Sequence, residues 1–434
     1  GKAGRLGARL MAVVAEGDRE RVYLPPTPEQ EEAATRAQPG WKPDLLIPTP
    51  CHDVDRLPMY GMPTWGDAFT PRQLAALGTF ADLVEEARRR VHEDARASGL
   101  EEGDPLEAGG SGARALAEAV GMYLGLGVSK CTDYWSSICT WDSSRDKIRN
   151  TFSRQAIPMS WDYAETNPIS CSSGSWSMML RRTRDSLSQA PSKPQGSAIQ
   201  HNASHMETHR PMVLSTDPPY YDNIGYADLS DFFYVWLRRT LGDVFPSLFR
   251  TRGTPKEEEL VASPFRHGGK GAAEAFFREG MVRALEALAR EAHPAFPVTL
   301  YYAFKQSESR GEEGTSSTGW ETFLEAVRRA GFAVTGTWPL RTELANRMRG
   351  QETNSLASSI VLVCRQRPED APVASRREFL RALRETLPEA LEEMTRPGAE
   401  GRSPVAPVDL AQALIGPGME VFTRYREVLE ADGT

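Results

Sequence analysis

Four consecutive residues near the middle of the chain offer groups that suit chemistry on an amino group. They are Asp217, Pro218, Pro219 and Tyr220. Asp217 supplies a carboxylate. The carbonyl of Pro218 supplies a second acceptor, because two prolines remove the backbone donors that a ladder of hydrogen bonds needs. Two neighbouring acceptors suit an exocyclic amine, which has two N–H donors, and the Tyr220 ring suits a stacked base, a contact worth about 1–3 kcal/mol.

The chemistry that this loop predicts is attack by the amine on an electrophilic carbon. An exocyclic amine is a weak nucleophile because its lone pair is delocalised into the ring. Accepting both of its hydrogens favours a more tetrahedral nitrogen, which can attack a methyl group and lose its proton afterwards. No strong base is therefore needed, and Pro219 keeps the loop rigid. A plain turn is the alternative, since Asp-Pro-Pro is common in turns.

The elements on either side of the loop are expected to hold it at the end of a sheet. An apolar run at residues 212–214 predicts a buried strand, and the prolines end that strand near Asp217. In open α/β sheets, ligands bind outside the carboxyl ends of the strands. An aromatic helix is predicted at 228–239, with Phe232 and Trp236 in its core rather than in a base-binding site. Tyr221 is likewise predicted to pack.

The four residues resemble the amino-group-modifying methyltransferases that use S-adenosylmethionine. The longer run at 216–239 resembles, more particularly, a family of large bacterial and archaeal adenine-specific DNA methylases that carry a zinc ribbon in their first half. Residues 152–168 and 341–349 resemble the same family. The resemblance implies S-adenosylmethionine as cofactor, with Thr216 and Asp217 beside it, and double-stranded DNA as substrate. The target would be N6 of an adenine swung out of the stack.

The resemblance is to the later half of that family. A glycine-rich loop that approaches the cofactor, and an acidic residue that holds its ribose, are found with confidence nowhere in the sequence. The chain begins at Gly1 without a methionine, so we expect a segment of something longer. An upstream half or a partner subunit would then complete the enzyme. Two alternatives remain: methylation of N4 of cytosine or of an RNA base, and a DNA-binding or assembly fragment that is inactive alone.

Basic side chains at two places are candidates for contact with DNA phosphates. They are Arg145, Lys147, Arg149 and Arg154 in the first half, and Arg341, Asn346 and Arg347 in a loop between two strands. A solvated helix face and a polar edge loop are the respective alternatives. A long loop at 245–271 is expected to close over DNA. A glycine-rich turn at 109–112 is a weak phosphate-binding signal, and a simple loop is favoured there.

The order of predicted elements indicates an α/β fold with a Rossmann-like S-adenosylmethionine-dependent methyltransferase sheet. The sheet is expected to be incomplete, with helical additions and an antiparallel edge pair, because no helix separates the last two strands. Strands are predicted in a hairpin within 1–24 and at 298–304, 332–340 and 358–364, and helices at 29–36, 71–97, 113–130, 272–292, 318–330, 376–394 and 408–430. The predicted divisions are 1–60, hairpin and linker; 61–185, helical; 186–210, flexible linker; 211–370, catalytic half-sheet; and 371–434, terminal helices.

Composition fits a soluble protein of two or three domains. The chain has 434 residues, 40% of them hydrophobic, and a net charge of −8, which argues against a uniformly basic wrapper of nucleic acid. Five cysteines without paired C-x-x-C spacing indicate a reducing compartment, the cytoplasm, and no zinc or other metal site. No apolar stretch approaches the length of about 20 residues that a membrane helix needs, so no membrane contact is expected.

Overall fold

The computed structural model describes residues 7–51, 53–190, 196–208, 210–221, 224–302, 318–341, 358–396 and 410–430. The chain forms two compact units. The first combines 1–198 with 225–257, and the second combines 199–224 with 258–434. The sequence-based division instead placed 225–257 inside the catalytic half-sheet. None of the described helices is long and apolar enough to cross a bilayer.

The first unit consists mainly of helices with two small hairpins. Its elements are β1 (Val13–Glu16), β2 (Arg21–Leu24), α1 (Pro28–Thr35), α2 (Arg56–Met59), α3 (Pro71–Ala97), α4 (Ala113–Thr132), β3 (Thr140–Asp142), β4 (Lys147–Arg149), α5 (Trp176–Gln189) and α6 (Tyr226–Leu241). The pairs β1–β2 and β3–β4 are both antiparallel. The hairpin predicted within 1–24 and the helices predicted at 29–36, 71–97, 113–130 and 228–239 are confirmed.

Aromatic packing explains why α6 belongs to the first unit. Phe232 and Trp236 on this helix are fully buried. Phe232 stacks on Phe69 at a centroid distance of 5.3 Å and meets Trp65 edge-on at 6.0 Å. Trp236 meets Phe69 at 5.6 Å. The predicted role of these side chains as helix core is confirmed, and the surface they cover lies on the segment just before α3.

The second unit is built on a four-stranded mixed sheet. Its elements are β5 (Ser215–Thr216), α7 (Lys270–Glu291), β6 (Val298–Tyr302), α8 (Thr318–Arg329), β7 (Phe332–Arg341), β8 (Ser358–Gln366), β9 (Val373–Ser375), α9 (Arg376–Thr395), α10 (Leu410–Thr423) and β10 (Glu427–Leu429). The sheet order is β5-β6-β8-β7. Strand β5 is parallel to β6, and β8 is antiparallel to both β6 and β7. The mixed α/β class and the antiparallel pair are confirmed.

Two predictions for this unit are wrong in part. The strand predicted as buried at 212–214 is shorter and more open: β5 covers only Ser215–Thr216, and Val213 is 64% exposed. Among the described residues β5 pairs only with β6, so it is an edge strand of the described sheet. The helix predicted at 408–430 ends at Thr423, and Glu427–Leu429 forms β10, which pairs in parallel with β9.

The core of the second unit lies between the sheet and helices α7 and α8. Leu300 and Tyr302 of β6, Phe277 of α7 and Phe323 of α8 are each no more than 1% exposed. The alternating burial of β6 presents Leu300 and Tyr302 to the same face. The core therefore extends along β6 as far as its last residue, Tyr302, which lies beside the loop that follows β5.

Candidate functional site

The loop after β5 places the Asp217 carboxylate at the carboxyl edge of the parallel pair. Thr216 is paired with Leu300 of β6, and Asp217 follows immediately as an exposed residue. Pro218, Pro219 and Tyr220 are partly buried. Within the described parts of the chain, no hydrogen bond or ion pair occupies the Asp217 side chain. Its oxygens are thus presented to solvent, at the sheet edge where ligands of α/β proteins bind.

Tyr302 holds this loop from the neighbouring strand. Its hydroxyl oxygen accepts a hydrogen bond from the backbone N–H of Tyr221 at 3.3 Å. Its ring lies 5.2 Å from that of Tyr220 at an interplanar angle of 74°. An edge-to-face contact covers at most one of the two faces of the Tyr220 ring. The end of β6 therefore fixes both the backbone and the aromatic side chain of the loop.

Tyr221 is held from the opposite side as well. Its carbonyl accepts a hydrogen bond from the backbone N–H of Ala262 at 2.7 Å. Its ring is buried and meets Phe277 edge-on at 5.2 Å, so the prediction that Tyr221 packs is confirmed. A Cβ added at Gly319 would lie 2.8 Å from the Cβ of Tyr221. Both backbone polar groups of Tyr221 are thus occupied, and the chain direction after Tyr220 is fixed.

Backbone hydrogen bonds close the glycine-rich turn that was the weak candidate for phosphate binding. The glycine-rich turn at 109–112 lies in the first unit and closes on its own chain: the N–H groups of Ala113 and Arg114, at the start of α4, donate to the carbonyls of Glu101 and Glu102 at 2.8 and 3.0 Å. The helix N-terminus is therefore not open to a phosphate. The simple loop that the sequence favoured is what forms.

No family or relative emerges from comparison. Models of protein families, curated proteins and solved structures gave no match to this chain.

The predicted basic DNA contacts in the first half lie on a hairpin and the segment after it. Lys147 and Arg149 belong to β4, and Arg145 lies in the turn before it. Arg145, Lys147 and Arg154 are exposed, whereas Arg149 lies 3.7 Å from the carboxylate of Asp142. The alternative of a solvated helix face is wrong, because no helix forms here. Contact with DNA stays a prediction.

A buried carboxylate fixes the base of this hairpin. Asp133 is 2% exposed and accepts hydrogen bonds from the Phe152 backbone N–H at 3.0 Å and the Asn150 side-chain amide at 2.9 Å. Asp146 adopts a φ of 46°, a left-handed conformation that Asp tolerates in turns. The exposed basic residues are therefore carried on a well-anchored ribbon.

The second group of predicted DNA contacts cannot be placed. Arg341 ends β7, and nothing is described of its side chain. Asn346 and Arg347 lie outside the described residues.

Ion pairs hold the long loop at 245–271 at two points. In the first unit the buried carboxylate of Asp231 lies 2.6 Å from Lys256 Nζ and accepts from the Thr254 N–H at 2.7 Å. In the second unit Glu259 and Arg266 form an ion pair of 2.6 Å. Breaking the Asp231–Lys256 pair would leave the Asp231 carboxylate buried without its cation. Closure of this loop over DNA stays a prediction.

Four of the five cysteines are buried, and Cys171 is exposed. Cys51, Cys131, Cys139 and Cys364 are buried. Burial raises the pKa of the Cys51 thiol to about 12, so it stays protonated at neutral pH. No group of three His, Cys, Asp or Glu that could hold a metal occurs within the described ranges.

Proposed function

We propose that this chain supplies the amine-binding part of an S-adenosylmethionine-dependent DNA methyltransferase that acts on N6 of adenine. One observation carries the proposal: the exposed Asp217 carboxylate lies at the carboxyl end of a parallel strand, in a loop whose following peptide is fixed on both sides. A rigid loop with a free acceptor suits a reaction in which positioning of the nucleophile contributes much of the rate.

Each of the four residues has a distinct role in this proposal. The Asp217 carboxylate and the Pro218 carbonyl accept the two hydrogens of the adenine amino group, which frees its lone pair for attack. Tyr220 stacks on the extruded base, and Pro219 keeps the acceptors in place. The cofactor, when bound, supplies the electrophilic methyl group. The amine proton leaves after attack, so Asp217 is not required to be a strong base.

The open edge of β5 supports a second component that carries the cofactor site. Parallel strands are usually interior to a sheet and covered on both faces, yet Val213 is 64% exposed. A further component at this edge, from an upstream half or a partner subunit, would extend the sheet and bring the missing glycine-rich turn beside Asp217. The same observation favours the alternative of a DNA-binding or assembly fragment that is inactive alone.

A methyl-transfer assay tests the proposal. Unmethylated duplex DNA is incubated with tritiated S-adenosylmethionine and either the isolated chain or the protein as it occurs in its native source, with all its segments and subunits. The products are digested to nucleosides. We expect N6-methyladenine with the native protein, and its loss in Asp217→Ala without a change in melting temperature. The matched control is Asp370→Ala, an exposed aspartate in the same unit.

Three results separate the alternatives. If the product is N4-methylcytosine and not N6-methyladenine, the loop has its proposed role but the target base is cytosine. In a parallel assay with unmodified RNA as substrate, transfer of label to RNA and not to DNA moves the activity to an RNA base. Normal activity in Asp217→Ala, or no methyl transfer by the native protein on any nucleic acid, contradicts the proposal.

A further inference from the structure

Tyr302 connects the loop after β5 to the core of the second unit. It is the last residue of β6 and is 1% exposed. Its hydroxyl reaches the Tyr221 N–H on the neighbouring chain segment at 3.3 Å. A buried tyrosine usually directs its hydroxyl to a polar partner, and here that partner is the backbone of the candidate site.

The Tyr302 ring is immobilised by two aromatic side chains of α8. It lies parallel to Phe323 at a centroid distance of 4.0 Å and an interplanar angle of 2°. It also stacks on Trp320 at 5.3 Å and 22°. Rotation of the side chain about its Cα–Cβ bond would break both contacts, so the position of the hydroxyl is set by the packing of α8 on the sheet.

We infer that Tyr302 is a positioning residue for the amine-binding loop, an inference that rests on the proposed function. Its hydroxyl fixes the peptide that follows Tyr220, and its ring fixes the plane of the Tyr220 side chain. The Pro218 carbonyl lies only two residues earlier, beyond a proline whose φ is restricted. Tyr302 thereby sets the direction of the base-stacking ring and of one acceptor without touching the substrate.

The hydroxyl can be separated from the ring by substitution. Tyr302→Phe keeps the aromatic stack on Phe323 and Trp320 and removes the hydroxyl that accepts from the Tyr221 N–H. Tyr301, the preceding residue on β6, points to the opposite face and is partly buried. Tyr301→Phe therefore removes a hydroxyl from the same strand without affecting the loop and serves as the matched control.

Two measurements test this role. Hydrogen exchange of the Tyr221 amide, followed by mass spectrometry of peptides that span the loop, reports the hydrogen bond in the isolated chain. Steady-state methyl transfer to duplex DNA by the native protein separates kcat from KM. For Tyr302→Phe we expect faster exchange at Tyr221 and a kcat lower by about three- to tenfold, as loss of one neutral hydrogen bond allows. The KM for DNA should stay near that of the wild type, and the melting temperature should fall by only a few degrees, because one buried N–H loses its partner.

The outcomes are distinguishable from failure of the proposed function. Unchanged exchange at Tyr221, or faster exchange with an unchanged kcat, overturns the positioning role. An equal effect of Tyr301→Phe also overturns it, because the loss would then be a general property of the strand. If the wild-type protein transfers no methyl group, the proposed function fails, and with it the role in catalysis, while the exchange result still decides whether Tyr302 holds the loop.

Discussion

Three tyrosines around the candidate site differ in role because they differ in burial. Tyr220 is partly buried and meets Tyr302 edge-to-face, whereas Tyr221 and Tyr302 are buried. The sequence predicted different roles for Tyr220 and Tyr221, since adjacent side chains of an extended segment point to opposite sides. It gave no sign of Tyr302, because the contact joins residues 81 positions apart.

Replacing Tyr220 should separate stacking from hydrogen bonding. We expect Tyr220→Ala to weaken binding of a single-stranded oligo(dA) by roughly 1–3 kcal/mol if the ring stacks on a base. Tyr220→Phe keeps the ring and should be much milder. Fluorescence anisotropy of labelled oligo(dA) measures both dissociation constants. Equal losses in the two variants would assign the role to the hydroxyl and contradict stacking.

At the scale of elements, the approach of α8 to the loop depends on a glycine. Gly319 lies in the first turn of α8, and an added Cβ there would come 2.8 Å from the Cβ of Tyr221. Contacts below about 3 Å force one partner to move. Helix α8 therefore holds the loop directly through Tyr221 and indirectly through the stack on Tyr302.

We expect Gly319→Ala to destabilise the protein by about 1–3 kcal/mol, because overpacking a buried contact displaces its neighbours. A matched control is Gly78→Ala in the middle of α3, where an added Cβ meets nothing within 4 Å. That change should stabilise the protein by about 0.5–1 kcal/mol, since alanine is the better helix former. Denaturant unfolding measures both. Stabilisation by Gly319→Ala would show that Tyr221 is free to shift.

Local patterns predicted most elements, and long-range pairing set the rest. The capping box at Thr70 and Gln73 marks the start of α3 in the sequence itself. The antiparallel pair β7–β8 followed from the absence of a helix between the strands. The position of β8 between β6 and β7 could not be predicted from the sequence, because strand order depends on contacts between distant residues. The spacing of the basic residues around β4 is also compatible with a helix face. The hairpin that forms instead is held by hydrogen bonds to the buried Asp133, which is distant in sequence.

At the scale of the whole molecule, the division into units was the hardest feature to predict. The aromatic residues of α6 predict a buried helix, but their spacing does not indicate which part of the chain the helix packs against. Phe69 and Trp65 provide that surface, so 225–257 joins the first unit although the strand before it belongs to the second. Chain order alone placed strand, loop and helix in one domain. The candidate loop was found from the sequence because its residues are contiguous.

Asp217 and the Pro218 carbonyl are proposed to recognise an exocyclic amine. The most direct measurement compares binding of oligo(dA) with that of the matching oligonucleotide of deoxynebularine, in which hydrogen replaces the amino group. We predict that the wild-type chain binds oligo(dA) about tenfold more tightly, as one or two hydrogen bonds allow, and that Asp217→Ala keeps only the smaller preference that the Pro218 carbonyl supplies. Equal dissociation constants for the two oligonucleotides with the wild-type chain would contradict the claim.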